Sequence, residues 1–149
     1  MVRRIVVDAS VVIKWFIPED YHEEAAKLRN DHLYGHVEVY VPSHALLEVA
    51  NALRKYVARK ILTPDLALRI LRTLLKMDLK YIAIDGPTAL EALEYALRNH
   101  VSVYDAYYIV VAHKLEATMF TADEKLLSAL SQREPLVKHI KYYPEESNE

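Results

Sequence analysis

The chain has 149 residues, 52% hydrophobic and 27% charged, with a net charge of −2; this excludes a disordered chain and suits one domain over 1–149 that buries roughly 70% of its unfolded surface. The lack of cysteine excludes disulfides, thiolate zinc sites and cysteine nucleophiles, and two glycines, Gly35 and Gly86, cannot build a Walker loop or a GxGxxG turn. No apolar run approaches the ~20 residues of a membrane span, and Asp8 and Lys14 interrupt the N-terminal apolar stretch, unlike a secretory signal, so a soluble cytoplasmic protein is expected.

The first predicted element is a strand at about 3–8, RRIVVD, whose apolar run ends on Asp8. An unpartnered buried aspartate costs several kcal/mol, so Asp8 must cap the next turn, pair with a cation or hold a metal. A helical period follows at about 22–33, then a strand at 38–41 and helices at 44–60 and 65–77. Next come a strand at 80–84, helices at 88–98 and 104–116, a strand at 117–121, a helix at 124–131 and a weaker strand at 137–141. Strands separated by helices predict an α/β fold, a central parallel sheet of about five strands flanked by helices on both faces. Prolines 42, 64, 87 and 135 punctuate the changes. Ser43 after Pro42 and Thr88 after Pro87 are expected to start helices, and Thr63 to cap the helix that Pro64 opens. The terminal EESNE reads as a frayed acidic tail.

Three stretches carry further carboxylates. The helix at 44–60 is apolar nearly all round, with a polar stripe of His44, Glu48, Asn51 and Lys55 on one face. That stripe is either a thin solvated face or the lining of a polar cleft. In SVYDAYYIVVAHKL, Ser102 and Asp105 have capping-box spacing, yet Asp105 stands among residues expected to be buried. In ATMFTADEKLL, Thr121 and Glu124 have the same spacing, which leaves Asp123 unexplained. Asp8 and Asp123 lie at or just beyond strand carboxyl ends, where open parallel sheets bind ligands. Acids converging there repel one another unless a cation is held, and oxygen ligands without cysteine select Mg²⁺ or Mn²⁺. Such an ion polarises a phosphoryl oxygen and activates water, which makes a phosphodiester the natural substrate.

Charge is uneven. Between Arg54 and Lys80 eight lysines and arginines face only Asp65 and Asp78, a local +6 that leaves −8 on the rest. This basic pair of helices either attracts a polyanion or is simply solvated.

At this point the sequence resembles the PIN-domain family, specifically its small VapC-like toxin type. IVVDASVVIKWF matches the family's opening aspartate motif, LLEVANALRK its helix glutamate, and SVYDAYYIVVAHKLEATMFTADEKLL its third and fourth acids with their spacing. The resemblance covers essentially the whole chain and implies a PIN-like α/β/α sandwich. It also implies that Asp8, Glu48, Asp105 and Asp123 form a metal-binding catalytic tetrad supported by Ser10, Thr121 and Asn51. The activity it implies is Mg²⁺- or Mn²⁺-dependent endoribonucleolytic cleavage by activated water, leaving a 5′-phosphate, by a homodimer restrained by a cognate antitoxin. Arg54, Lys55, Arg59 and Lys60 are then the expected RNA backbone contacts.

Rival readings stay open. The fold could keep its acids as a binding module with negligible turnover, or serve another metal-dependent nuclease of DNA or RNA. A phosphatase or phosphoacceptor is disfavoured because Ser10 stands where a phosphatase wants a second aspartate. His32 and His36 are expected in a loop, His113 as a structural histidine, and the tyrosines from 104 to 108 as core or dimer surface.

Overall fold

Ile5, Val6 and Val7 have no exposed surface, and a strand buried on both faces belongs at the middle of a sheet. In the computed structural model, which describes residues 2–144, this strand is β1 (Arg3–Val7). It pairs in parallel with β2 (Val37–Pro42) on one side and β4 (Thr118–Thr121) on the other. The short strands β3 (Lys80–Ile82) and β5 (Val137–His139) form the edges, giving the all-parallel order β3-β2-β1-β4-β5. The strand order reverses between β1 and β4, which opens a crevice between their carboxyl ends.

Seven helices among the described residues flank the sheet. The first crossover carries α1 (Ala9–Lys14) and α2 (His22–Leu33), and the second carries α3 (Ala45–Ala58) and α4 (Pro64–Leu75). The third carries α5 (Gly86–Asn99) and α6 (Val103–Leu115), and α7 (Glu124–Leu130) leads to β5 and a 3₁₀ turn at Ile140–Tyr142. Right-handed crossovers put α1 to α4 on one face and α5 to α7 on the other. α6 packs against β1, β2 and β4 as well as α5, which is why every residue from Ala106 to Ala112 is buried. No helix among the described residues is long and apolar enough to cross a membrane.

Several local expectations are corrected. The stretch after β1 folds into the six-residue α1, with Asp8 as its N-cap, where no helix was expected. Ser43 caps nothing: α3 starts after His44, and the Ser43 hydroxyl donates to the Ile82 carbonyl. Asp85, not Thr88, caps α5, accepting the Thr88 N–H at 2.7 Å. Thr121 and Glu124 form no capping box, because Asp123 caps α7. His32 lies within α2 rather than in a loop, and its Nδ1 accepts the Val39 N–H. Thr63 does cap α4, and Ser102 caps α6. The β3 strand stops at Ile82, and Lys60 falls beyond α3 with φ of 61°. The EESNE tail lies outside the described residues.

Candidate active site

The crevice between β1 and β4 is built around Asp8. Its Oδ1 accepts the Ser10 N–H at 3.1 Å and the Ser10 hydroxyl, and its Oδ2 accepts the Thr121 hydroxyl. Ser10 Oγ in turn accepts the Ala122 N–H at 2.8 Å, and Thr121 Oγ1 accepts the Asp123 N–H at 3.0 Å. Two hydroxyls thus tie the carboxyl ends of both central strands to one carboxylate. Asp8 is nevertheless 5% exposed, and burial, with added repulsion from Asp105, outweighs these bonds and lifts its pKa from 3.8 to about 6.

The other acids come from helices over the same sheet edge. Glu48, in the first turn of α3, is half-buried and accepts the Tyr108 hydroxyl at 2.9 Å; His44 Nε2 lies 3.2 Å from the same oxygen. Burial raises the Glu48 pKa, against the pull of that tyrosine. Asp105, in the first turn of α6, is held by the Ser102 cap at 3.0 Å, and its pKa is raised by burial first and then by Asp123 and Glu48. Asp123 Oδ1 accepts the N–H groups of Lys125 and Leu126 at 2.9 and 3.1 Å.

The structure therefore brings Asp8, Glu48, Asp105 and Asp123 within electrostatic reach along one chain of influence: Asp105 acts on Asp8, and Asp123 and Glu48 act on Asp105. The charged neighbours that bear most on Asp8 and Asp105 are other carboxylates, offset at Asp105 by His44. Among the described residues, no three His, Asp or Glu side chains close into a full cage. A hydrated Mg²⁺-type ion needs only one or two direct carboxylates, so an all-oxygen acidic crevice fits it.

Asn51 sits apart, exposed on α3 and bonded to Arg54 Nε at 3.3 Å. Arg54, Lys55, Arg59 and Lys60 are exposed at the carboxyl half of α3 and just past it. A cleft of about 950 Å³ lies between α7 and β5 and contains none of the four acids. His113 is bonded to the buried Glu134 at 2.7 Å. Sequence reasoning placed Glu48 in the polar stripe and Tyr108 in the core, but not the bond between them. That contact joins two helices 60 residues apart in the chain, and no local pattern encodes it.

A doubly wound parallel sheet with carboxylates gathered at its switch point defines an α/β domain with an acidic ligand crevice. The chain belongs to the PIN-domain family, whose model matches residues 5–130. It is 30% identical over 125 residues to Ribonuclease VapC3 of Pyrobaculum aerophilum, covering 83% of this chain and 92% of that one. In structure it is similar to PAE2754 from Pyrobaculum aerophilum, with a TM-score of 0.66 at 22% identity over 85% of this chain and 79% of the other. It is also similar to a toxin–antitoxin complex from Klebsiella pneumoniae, with a TM-score of 0.65 at 15% identity over 91% and 97% of the two chains.

Proposed function

We propose that this chain is a VapC-type toxin, a divalent-metal-dependent endoribonuclease acting in the cytoplasm. The observation that carries the reading is Asp8, a carboxylate buried at the switch point with its pKa raised to about 6. A serine would cap α1 as well without burying a charge, so the aspartate serves something other than the cap. Similarity to a ribonuclease over most of the chain supports RNA as the substrate.

On this reading Asp8, Glu48, Asp105 and Asp123 would hold Mg²⁺ or Mn²⁺. When bound, such an ion polarises a phosphoryl oxygen and lowers the pKa of water, the chemistry that phosphodiester hydrolysis requires. Ser10 and Thr121 fix the orientation of Asp8, and Tyr108 fixes Glu48. Arg54, Lys55, Arg59 and Lys60 attract the RNA backbone, and Asn51 stands between them and the crevice along α3.

The protein partners we propose are a cognate antitoxin and a second copy of the chain. Leu90, Leu93 and Leu97 share one face of α5 and are exposed, as are Leu47 and Tyr104, apolar surface of the kind that protein partners cover. Light scattering of the purified chain, alone and with the antitoxin, tests both.

The deciding experiment is cleavage of a mixed RNA pool with Mg²⁺ or Mn²⁺, with EDTA, and by Asp8→Asn and Asp105→Asn variants. Cutting that requires the metal and both aspartates, and leaves 5′-phosphate ends, is expected. Metal binding without cleavage of RNA would make the chain a binding module, and cleavage of DNA alone would reassign its substrate.

A further inference from the structure

A second feature adjoins the acidic crevice. A cleft of about 270 Å³ opens between α1 and α3, and Ser10 and Ala122 line it. Ser10 is bonded to Asp8, and the N–H of Ala122 is bonded to Ser10, so the cleft begins one side chain from the central carboxylate. Its size is just below that of sites for drug-sized ligands, enough for one flat fused-ring base with water.

The chemistry of the lining is unusual. Ala9, Ala52 and Ala122 supply small apolar surfaces, whereas Lys14 and Glu19 bring a donor and an acceptor together. Lys14 is only one-tenth exposed along its side chain, and its Nζ stands 3.3 Å from Glu19 Oε2. The other Glu19 oxygen accepts the hydroxyl of Tyr56, which projects from α3. A lysine has three donors and a carboxylate about four acceptor positions, so this contact leaves both groups with capacity toward the cleft. A phosphate suits the lysine but is repelled by Glu19 in the same space. A nucleobase edge uses both charges.

We propose that this cleft is a base-reading pocket that accepts a guanine next to the scissile phosphate of the RNA. Guanine is the one base with two N–H donors side by side, at N1 and N2, matching the two oxygens of one carboxylate. Its O6 lies beside them, within reach of a lysine that flanks Oε2. Enzymes that extrude a base read it in this manner, by its Watson–Crick edge in a pocket of apolar walls. Glu19 and Lys14 are thus specificity residues, Tyr56 positions Glu19, and Ser10 joins the base pocket to the crevice. The inference rests on the ribonuclease reading for its substrate, not for its contacts.

The test is binding of fluorescent hexauridylates carrying a single central G, A or C, or none, measured by anisotropy in EDTA. The wild type is expected to prefer the G oligonucleotide about tenfold over the A one, the lower end of what a bidentate base-edge contact supplies. Glu19→Gln and Lys14→Met, made separately, are each expected to bring that ratio close to one. A purely structural staple between α1 and α3 would lower the melting temperature in both variants and leave the ratio unchanged. Equal affinity for the four oligonucleotides in the wild type, or none, overturns the proposal without any variant. Cleavage-site sequencing with Mg²⁺ separates this outcome from the activity: cutting without a flanking guanine preference removes the pocket and keeps the nuclease. A guanine preference in EDTA with no metal-dependent cutting does the reverse.

Discussion

Replacing Asp8 by asparagine should stabilise the metal-free protein, and the gain should depend on pH. Burial lifts the Asp8 carboxyl from 3.8 to about 6, so its ionisation costs about 3 kcal/mol more in the folded chain than in the unfolded one. Because the folded value is the higher, the stabilising contribution is complete below about pH 4, falls as the pH rises, and is gone above about pH 6. Asparagine does not titrate, so the variant's advantage grows by about 3 kcal/mol across that window and then stays level. A constant penalty of about 1 kcal/mol opposes it, because the amide N–H₂ now meets the Thr121 hydroxyl, which must turn to accept. Urea unfolding of both proteins in EDTA at pH 4, 5, 6 and 7.5 gives the difference directly. Mg²⁺ at pH 7.5 should then raise the stability of the wild type and leave the variant nearly unmoved, since only the folded carboxylate site binds it. A stability gap that is flat from pH 4 to 7.5, or equal stabilisation of both proteins by Mg²⁺, would refute the argument.

The buried Thr121 hydroxyl links Asp8 to the Asp123 N–H. Thr121→Val should therefore cost about 1–3 kcal/mol and slow cleavage, whereas Thr121→Ser should retain most of both, as denaturation and initial rates will show. Replacing Arg54, Lys55, Arg59 and Lys60 together by alanine should weaken RNA binding and flatten its dependence on log salt by up to about 3, at about 0.7 per lost single-strand contact. An unchanged salt slope would place the RNA elsewhere on the surface.

The sheet was legible because its central strands are continuous apolar runs, IVV in β1 and MF in β4, bounded by charges and turn residues. Asp8 was legible because it ends such a run, and Asp123 because it stands just beyond the end of β4, where parallel sheets bind ligands. The short helix α1 was not, because SVVI continues the apolar pattern of β1 and Asp8 is the only start signal. The capping box assigned to Thr121 and Glu124 had the right spacing, but tertiary structure overrode it. Thr121 is drawn into the sheet to serve Asp8, and the cap passes to Asp123. The Lys14, Glu19 and Tyr56 cluster left no local trace, since Tyr56 lies 37 residues from Glu19 and reaches it only once α3 has docked.

Capping and metal holding are readings of the same atoms at Asp123, and a pair of substitutions separates them. Its Oδ1 takes both backbone N–H groups at the start of α7, which leaves Oδ2 for the crevice. Serine caps a helix about as well as aspartate, whereas alanine loses about 1 kcal/mol. If the cap were the whole role, Asp123→Ser would match the wild type in stability and cleavage, and Asp123→Ala would lose stability in proportion to the cap. If the free oxygen also serves the metal, Asp123→Ser should keep stability within about 0.5 kcal/mol while cleavage falls by on the order of a hundredfold, as when one electrostatic stabiliser is removed. Raising Mg²⁺ should recover part of the serine variant's rate and none of the stability lost by the alanine variant, because added metal replaces a missing ligand but not a missing cap. Full activity in Asp123→Ser would reduce the site to Asp8, Glu48 and Asp105 and make Asp123 a helix cap alone.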